Sequence, residues 1–281
     1  MRSLKTSTNI TKTLIYTVCI ILAILSIFPF WIMFMNATRS TFQIQQDSVS
    51  LFPSRYLKSN WNILSGKSFN PAIGFMNSMI ISTGATLCAV YFSSLTAYAL
   101  VAYTWKLRQG FFTFIMAVMM IPAQVTGIGF YQMMYRIGWV NTYWPLILPS
   151  IATPAMVFFM RQYLLASLSL DIVNSARIDG SGEFNTFNKI ILPIMKPAMA
   201  TQAIFTFVFS WNNLFIPLIL LTRSDRYTMP IMVSLLRGDI YKTEYGSVYL
   251  GLSLTVLPLF VIYFLLSKYI IAGVALGALK E

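Results

Sequence analysis

Residues 14–35 read LIYTVCIILAILSIFPFWIMFM, an unbroken apolar run with no Asp, Glu, Lys or Arg. A helix needs about 20 such residues to cross the ~30 Å hydrocarbon layer of a bilayer. The apolar core of a signal peptide spans only ~7–15 residues, so the run reads as an uncleaved first span. Five more charge-free stretches follow, at residues 75–103, 111–133, 143–160, 197–221 and 246–267. A charge at the centre of such a helix costs roughly 2.5–3.5 kcal/mol to insert, which explains the purity of the runs. The pattern predicts an all-α, polytopic membrane protein with about six transmembrane helices.

Composition agrees. Of 281 residues, 57% are hydrophobic and 10% charged, and mean hydropathy is +0.69. A soluble domain carries about 45–50% apolar and about 25% charged residues. So few charges cannot cover a water-facing surface. The net charge of +12 would point to nucleic acid in a soluble chain. Here the bases lie between apolar runs with no continuous stripe, so no nucleic-acid partner is expected; lipid headgroups and topology account for them. Histidine is absent, which removes the commonest metal ligand and general base. Cys19 and Cys88 sit inside apolar runs and read as buried small hydrophobes. No metal site is expected.

Orientation follows from the bases beside the first span. Arg2, Lys5 and Lys12 precede it without an acid, and Arg39 alone follows closely. Lys106 and Arg108 in a short second connection fit the same side. Both termini are therefore expected to be cytoplasmic, in the cell membrane. A single membrane domain over residues 1–281 is expected, with residues 161–196 as a long inner connection.

That connection contains SLDIVNSARIDGSGEFNTFNKIILP, residues 169–193. Asp171 suits a helix N-cap. Asp179-Gly180 suits a helix end, with Gly180 in the left-handed region. Ser181 suits the cap of a second helix that stops before Pro193. Phe184, Phe187 and Ile191 fall on one edge of that helix, and small Ser175 and Ala176 permit close approach on the first. The spacing predicts a helical elbow, either docked in a partner's groove or lying on the membrane surface.

These residues carry a family resemblance. The loop resembles the EAA motif of ABC importer permeases: Asn174-Ser175-Ala176, then Gly180 after three residues, Ile190 after nine more, and Leu192-Pro193. Asp179 ahead of the glycine is similar to the carbohydrate branch. Gly138-Trp-Val-Asn-Thr-Tyr143, Ser210-Trp-Asn-Asn213 and the tail from Ala272 to Lys280 look like further motifs of the second-permease type of maltose-like sugar importers. The resemblance implies the ABC importer permease fold, with six spans and both ends inside. It implies a permease subunit for a sugar or oligosaccharide, without ATPase activity or a cofactor of its own. ATP would be bound and hydrolysed by partner subunits. The implied partners are a second, different permease chain, two cytoplasmic ATP-binding subunits, and an extracellular or periplasmic sugar-binding protein. The implied ATPase-coupling residues are Asp171, Asn174, Ser175, Ala176, Asp179, Gly180, Glu183, Phe184 and Phe187. Asn174 stands where the motif has Glu, which removes one charge-assisted contact and leaves Asp171 and Glu183 as acidic contacts.

Polar residues inside the runs are candidates for a translocation path: Asn77, Gln124, Gln132, Trp211, Asn212 and Asn213. Amides bond sugar hydroxyls and an indole offers a stacking face. The alternative is interhelical bonding, where such amides contribute about 0.6–2 kcal/mol. Pro122, Pro217 and Pro258 are candidate kinks. An ion-coupled carrier of a small polar solute is the rival function, disfavoured by spans without a carboxylate. A membrane enzyme lacks its dyads and motifs, and a purely structural subunit does not need the elbow.

Overall fold

The computed structural model describes residues 2–66, 70–236 and 244–278, without the side chains of residues 2–11, 123–124 and 265–278. The bases Lys67, Arg237 and Lys242, and the last two residues of the tail motif, lie outside the described residues. Every regular element described is helical. The chain forms two compact units. One comprises residues up to 71 with 233–256; the other comprises 72–232 with the remainder.

In the first unit, α1 (Arg2–Asn36) carries the opening apolar run. Over its apolar window none of it is buried by the rest of the chain. Cys19 is consequently exposed rather than buried, because nothing else in the described chain covers the helix over that window. Short helices α2 (Thr41–Gln46) and α3 (Leu57–Gly66) follow. A capping box at Ser40 and Gln43 starts α2 by satisfying free N–H groups. Arg39 is 8% exposed and its guanidinium donates to Asn36 Oδ1 at 3.1 Å and to the carbonyls of Asp47 and Gln43 at 2.6 and 3.0 Å. Asn60 donates to the carbonyls of Ala37 and Arg39, both at 2.9 Å. Gly246, near the start of the last helix, meets this knot so closely that a Cβ would lie 2.3 Å from the Arg39 carbonyl.

The second unit is organised around α4 (Pro71–Ala102). Gly74, Ser78, Ser82, Ala85, Ala89, Ser93 and Ala97 recur at three- and four-residue steps and are buried, so the stripe of small side chains lets neighbouring helices approach. The third expected span is not one helix. It divides into α5 (Arg108–Val118) and α6 (Ala123–Arg136), about 16 and 21 Å long at 1.5 Å per residue. Pro122 has no N–H and disfavours helix in the residue before it, and the chain ahead of it tightens to three-residue bonds, Met119 to Met116 and Ile121 to Val118. The fourth span is assembled from α7 (Trp144–Ile147), a 3-10 turn (Leu148–Ile151) and α8 (Pro154–Ser167).

The elbow comprises α9 (Leu170–Ile178), α10 (Glu183–Thr186) and a π turn (Phe187–Ile191), and it continues directly into α11 (Leu192–Trp211). The expected stop before Pro193 does not occur. The π turn, in which Leu192 N–H reaches the Phe187 carbonyl, widens the backbone just where the proline ring would meet the preceding turn. Glu183, Lys189 and Lys196 thereby share one continuous helix with the apolar fifth span, so that helix is not free of charge at its first turns. Then come α12 (Phe215–Leu220), a 3-10 turn (Ser224–Arg226), α13 (Met229–Leu235) and α14 (Tyr245–Ala278). Pro217 lies buried in α12, and α14 runs through Pro258. Among the described residues five helices are long and apolar enough to cross a membrane, the divided third segment falling outside that count.

Candidate functional site

The elbow is set by its two helix ends. Ser169, not Asp171, caps α9: its Oγ accepts from Asp171 N–H at 3.3 Å. Backbone turns extended at Leu168 and Ser169, which places Asp171 inside the first turn, where a carboxylate favours the positive helix end. At the other end Gly180 has φ +76°, as expected. Ser181 N–H bonds the Ala176 carbonyl at 2.9 Å and Gly180 N–H bonds that of Arg177 at 3.0 Å, a Schellman closure. Space around Gly180 is open, so the backbone angle alone demands glycine. Ser181 does not cap α10, whose N-cap is Gly182; its Oγ instead accepts from Thr186 and Asn185 at 2.9 and 3.1 Å.

The two elbow helices sort their side chains into inward and outward sets. Val173, Ala176, Phe187 and Ile191 are buried within the chain, at 1%, 6%, 0% and 0% exposure. The apolar edge expected from Phe184, Phe187 and Ile191 is therefore split, because Phe187 and Ile191 join a core with Tyr98, Met160, Leu164 and Met195. Ala176 and Phe187 are covered by the chain itself and unavailable to a partner. Asp171, Asn174, Ser175 and Asp179 face outward, together with Ile178 at 86% and Phe184 at 70% exposure. Ile178 carried no expectation from the sequence.

Glu183 joins the pieces. Its Oε1 accepts from Arg177 Nε on α9 at 2.8 Å. Its Oε2 accepts from Tyr98 at 3.3 Å on α4, and from the Tyr103 hydroxyl just beyond it. The Arg177 guanidinium lies over the Tyr103 ring at 5.1 Å, and Tyr98 stacks on Phe187 at 5.7 Å.

Along α8 and α11 runs a cavity of about 960 Å³. Its polar wall includes Ser150, Thr153, Gln202, Thr206, Ser210 and Asn213. Phe159, Phe205 and Phe209 add exposed aromatic faces. Among the described residues lining it none carries a charge. Of the path candidates with described side chains, Asn213 alone lies on this wall. Trp211 is 1% exposed, stacked on Phe207 at 5.6 Å and edge-on to Phe75 at 5.7 Å. Gln132 and Asn212 are exposed elsewhere, and the Gln124 side chain lies outside the described residues. The missed groups had a signal: Gln202, Thr206 and Ser210 recur every four residues along one face of an apolar helix, and Asn213 follows just beyond its end.

Asn77 performs the packing alternative. It is 6% exposed, donates to the carbonyls of Asp225 and Tyr227 at 3.0 and 2.9 Å, and accepts from Tyr143 at 2.6 Å. Every polar atom of the amide is engaged. The chain just ahead of Tyr143 is tied to residues 220–223 by Asn141, the one described non-glycine residue with positive φ, at 60°. Its Oδ1 accepts from the N–H groups of Thr222 and Arg223 at 2.6 and 3.2 Å, and its Nδ2 donates to Thr222 Oγ1 at 2.8 Å. Beside it Arg223 bonds both oxygens of Asp225 and holds that carboxyl below its ordinary range. Asn tolerates the left-handed region and offers the bonds; alanine does neither. Asn141→Ala is expected to lower stability by about 2–3 kcal/mol, three bonds at ~1 kcal/mol each. A thermal melt of the purified chain measures it, and an unchanged midpoint would contradict the clamp.

Comparison with known proteins agrees with this geometry. A family model described as "Binding-protein-dependent transport system inner membrane component" matches residues 89–275. The chain is 33% identical over 261 residues to the arabinooligosaccharides transport system permease protein AraQ of Halalkalibacterium halodurans, covering 92% of this chain and 93% of that protein. It is 31% identical over 265 residues to the lactose transport system permease protein LacG of Rhizobium radiobacter, covering 94% and 95%. It is 29% identical over 265 residues to the trehalose/maltose transport system permease protein MalG of Thermococcus litoralis, covering 93% and 94%. A chain of a bacterial ABC transporter involved in the import of the acidic polysaccharide alginate superposes with TM-score 0.78 at 20% identity, covering 94% of this chain and 97% of that one, which shows the shared fold. The match over residues 89–275 spans more than half of the chain, which therefore belongs to the binding-protein-dependent transport system inner membrane component family as a multi-pass membrane subunit.

Proposed function

We propose that this chain is one of two membrane-spanning subunits of an ATP-driven importer for a neutral sugar or oligosaccharide. The observation that carries the reading is the elbow. Two large apolar side chains, Ile178 and Phe184, stand exposed on a rigid turn whose other face is locked into the core. Such a knuckle suits docking into a cleft of a cytoplasmic ATP-binding subunit, one for each permease chain. Asp171, Asn174, Ser175 and Asp179 would rim that contact. An external binding protein would deliver the solute, and ATP-driven closure would rock two helix bundles between outward- and inward-open states. Residues 1–281 then act as one membrane domain, with residues 161–196 and both termini in the cytoplasm.

The uncharged cavity supports the solute class. Hydroxyls and amides satisfy sugar hydroxyls, and aromatic faces pack against the C–H faces of pyranose rings. The named substrates of the relatives AraQ, LacG and MalG point the same way. The test is uptake of labelled di- and oligosaccharides into proteoliposomes holding this chain with its second permease, ATPases and binding protein. Uptake is expected to require internal ATP and to survive ionophores. Uptake that needs an ion gradient and no ATP would refute the proposal.

A further inference from the structure

The structure assigns to Glu183 a positioning role in transmission: it latches the elbow to the inner end of α4 through Tyr98 and Tyr103, an inference that rests on the coupling function proposed above. Its carboxylate is shared between two elements. Oε1 is held by Arg177 on α9, and Oε2 receives both tyrosine hydroxyls at the end of α4. A carboxylate that bridges in this way is a joint, since displacing α9 pulls on Tyr98 and Tyr103 through the same side chain.

The latch contributes little as an ion pair. Arg177 and Glu183 side chains are 35% and 47% exposed, and pairs so exposed contribute little net stability. The tyrosine side is different. Tyr98 is 2% exposed, so without Glu183 its hydroxyl would lose its carboxylate acceptor in a buried place. Directional bonds at a buried hydroxyl fix where the elbow sits. The packing around Phe187 resists compression between elbow and α4, but apolar contact is non-directional and resists sliding weakly. The carboxylate supplies the direction. Of the described elbow acids Asp171, Asp179 and Glu183, it is Glu183 that accepts from a residue of α4.

The experiment uses the complete transporter in proteoliposomes and reads sugar taken up per ATP hydrolysed. Tyr98→Phe/Tyr103→Phe keeps both rings and removes only the hydroxyls; Glu183→Gln removes the charge. The tyrosine pair is expected to lower uptake about tenfold while ATP hydrolysis stays within about twofold, so that coupling is lost and assembly is not, and Glu183→Gln is expected to lower sugar taken up per ATP by a similar factor. A separate Tyr103→Cys/Glu183→Cys chain, with Cys19 and Cys88 replaced by serine, is bridged with a reducible bis-methanethiosulfonate linker. Bridging should restore uptake per ATP, and reduction should abolish it again. An unchanged uptake-to-ATP ratio in the phenylalanine pair overturns the latch. So does a bridged pair no better coupled than its reduced form, which decides the matter even if Glu183→Gln fails to assemble. Wild-type transport that needs no ATP would instead refute the underlying function, a distinct result.

Discussion

Deleting residues 175–183 is expected to abolish ATP-dependent uptake while the chain still enters the membrane. The segment contains the Schellman turn, exposed Ile178, and the carboxylate that ties the elbow to α4. None of the charge-free runs that direct insertion is touched. Because the deletion also severs the entry to the helix that starts at Glu183, a gentler pair of changes separates contact from folding. Ile178→Asp and Phe184→Asp alter side chains that are 86% and 70% exposed and leave the core intact. Each should leave thermal stability within about 0.5 kcal/mol, as surface substitutions do. Both together should lower uptake and sugar-stimulated ATP hydrolysis by at least about tenfold, since two apolar anchors of a docking contact carry most of its energy. Normal uptake in the aspartate variant, measured in the same vesicles, would contradict the docking role.

Phe187→Ala should destabilise the second unit by about 3–5 kcal/mol, the usual range for truncating a fully buried phenylalanine. Phe187 is 0% exposed and lies between Tyr91, edge-on at 5.7 Å, and Tyr98, stacked at 5.7 Å and 29°. Most of a bilayer-embedded core gains nothing from the hydrophobic effect, since lipid tails are as apolar as leucine. Phe187 sits at the elbow, where the alternative neighbour is water, so its burial contributes in full. The cavity left behind would lie under the π turn and free the elbow to shift. Denaturation of the purified chain, followed by tyrosine and tryptophan fluorescence, measures the loss. A change below about 1 kcal/mol would mean the site collapses without penalty.

Much of this was legible in residues whose partners are close in the chain. Helical spans follow from charge-free runs, and Gly180 in the left-handed region follows from Asp179-Gly180 after a nine-residue helix. What failed was decided at a distance or by a backbone detail. Pro193 reads as a stop, yet the π turn ahead of it absorbs the ring and lets the elbow helix run on into the fifth span. Ser169 outcompetes Asp171 as cap because the chain is still extended at the serine. Asn77 is open in the sequence to either path or packing, and the partners that make it packing lie 66, 148 and 150 residues away, beyond any local pattern. Phe187 and Phe184 look alike at helical spacing, but only the tertiary position of Tyr98 turns one inward and leaves the other in water. The polar stripe of α11, Gln202, Thr206 and Ser210, is legible at a period near 3.6 but not from any one residue taken alone.

Chemical energy released in water must reach helices buried in lipid through the tip of one turn. A photoreactive p-benzoylphenylalanine in place of Ile178, irradiated in vesicles actively turning over ATP, addresses that directly. The label should form its adduct with a nucleotide-hydrolysing subunit, and the yield should change between ATP-bound and nucleotide-free states. Adducts with lipid alone, in vesicles that import sugar normally, would contradict it.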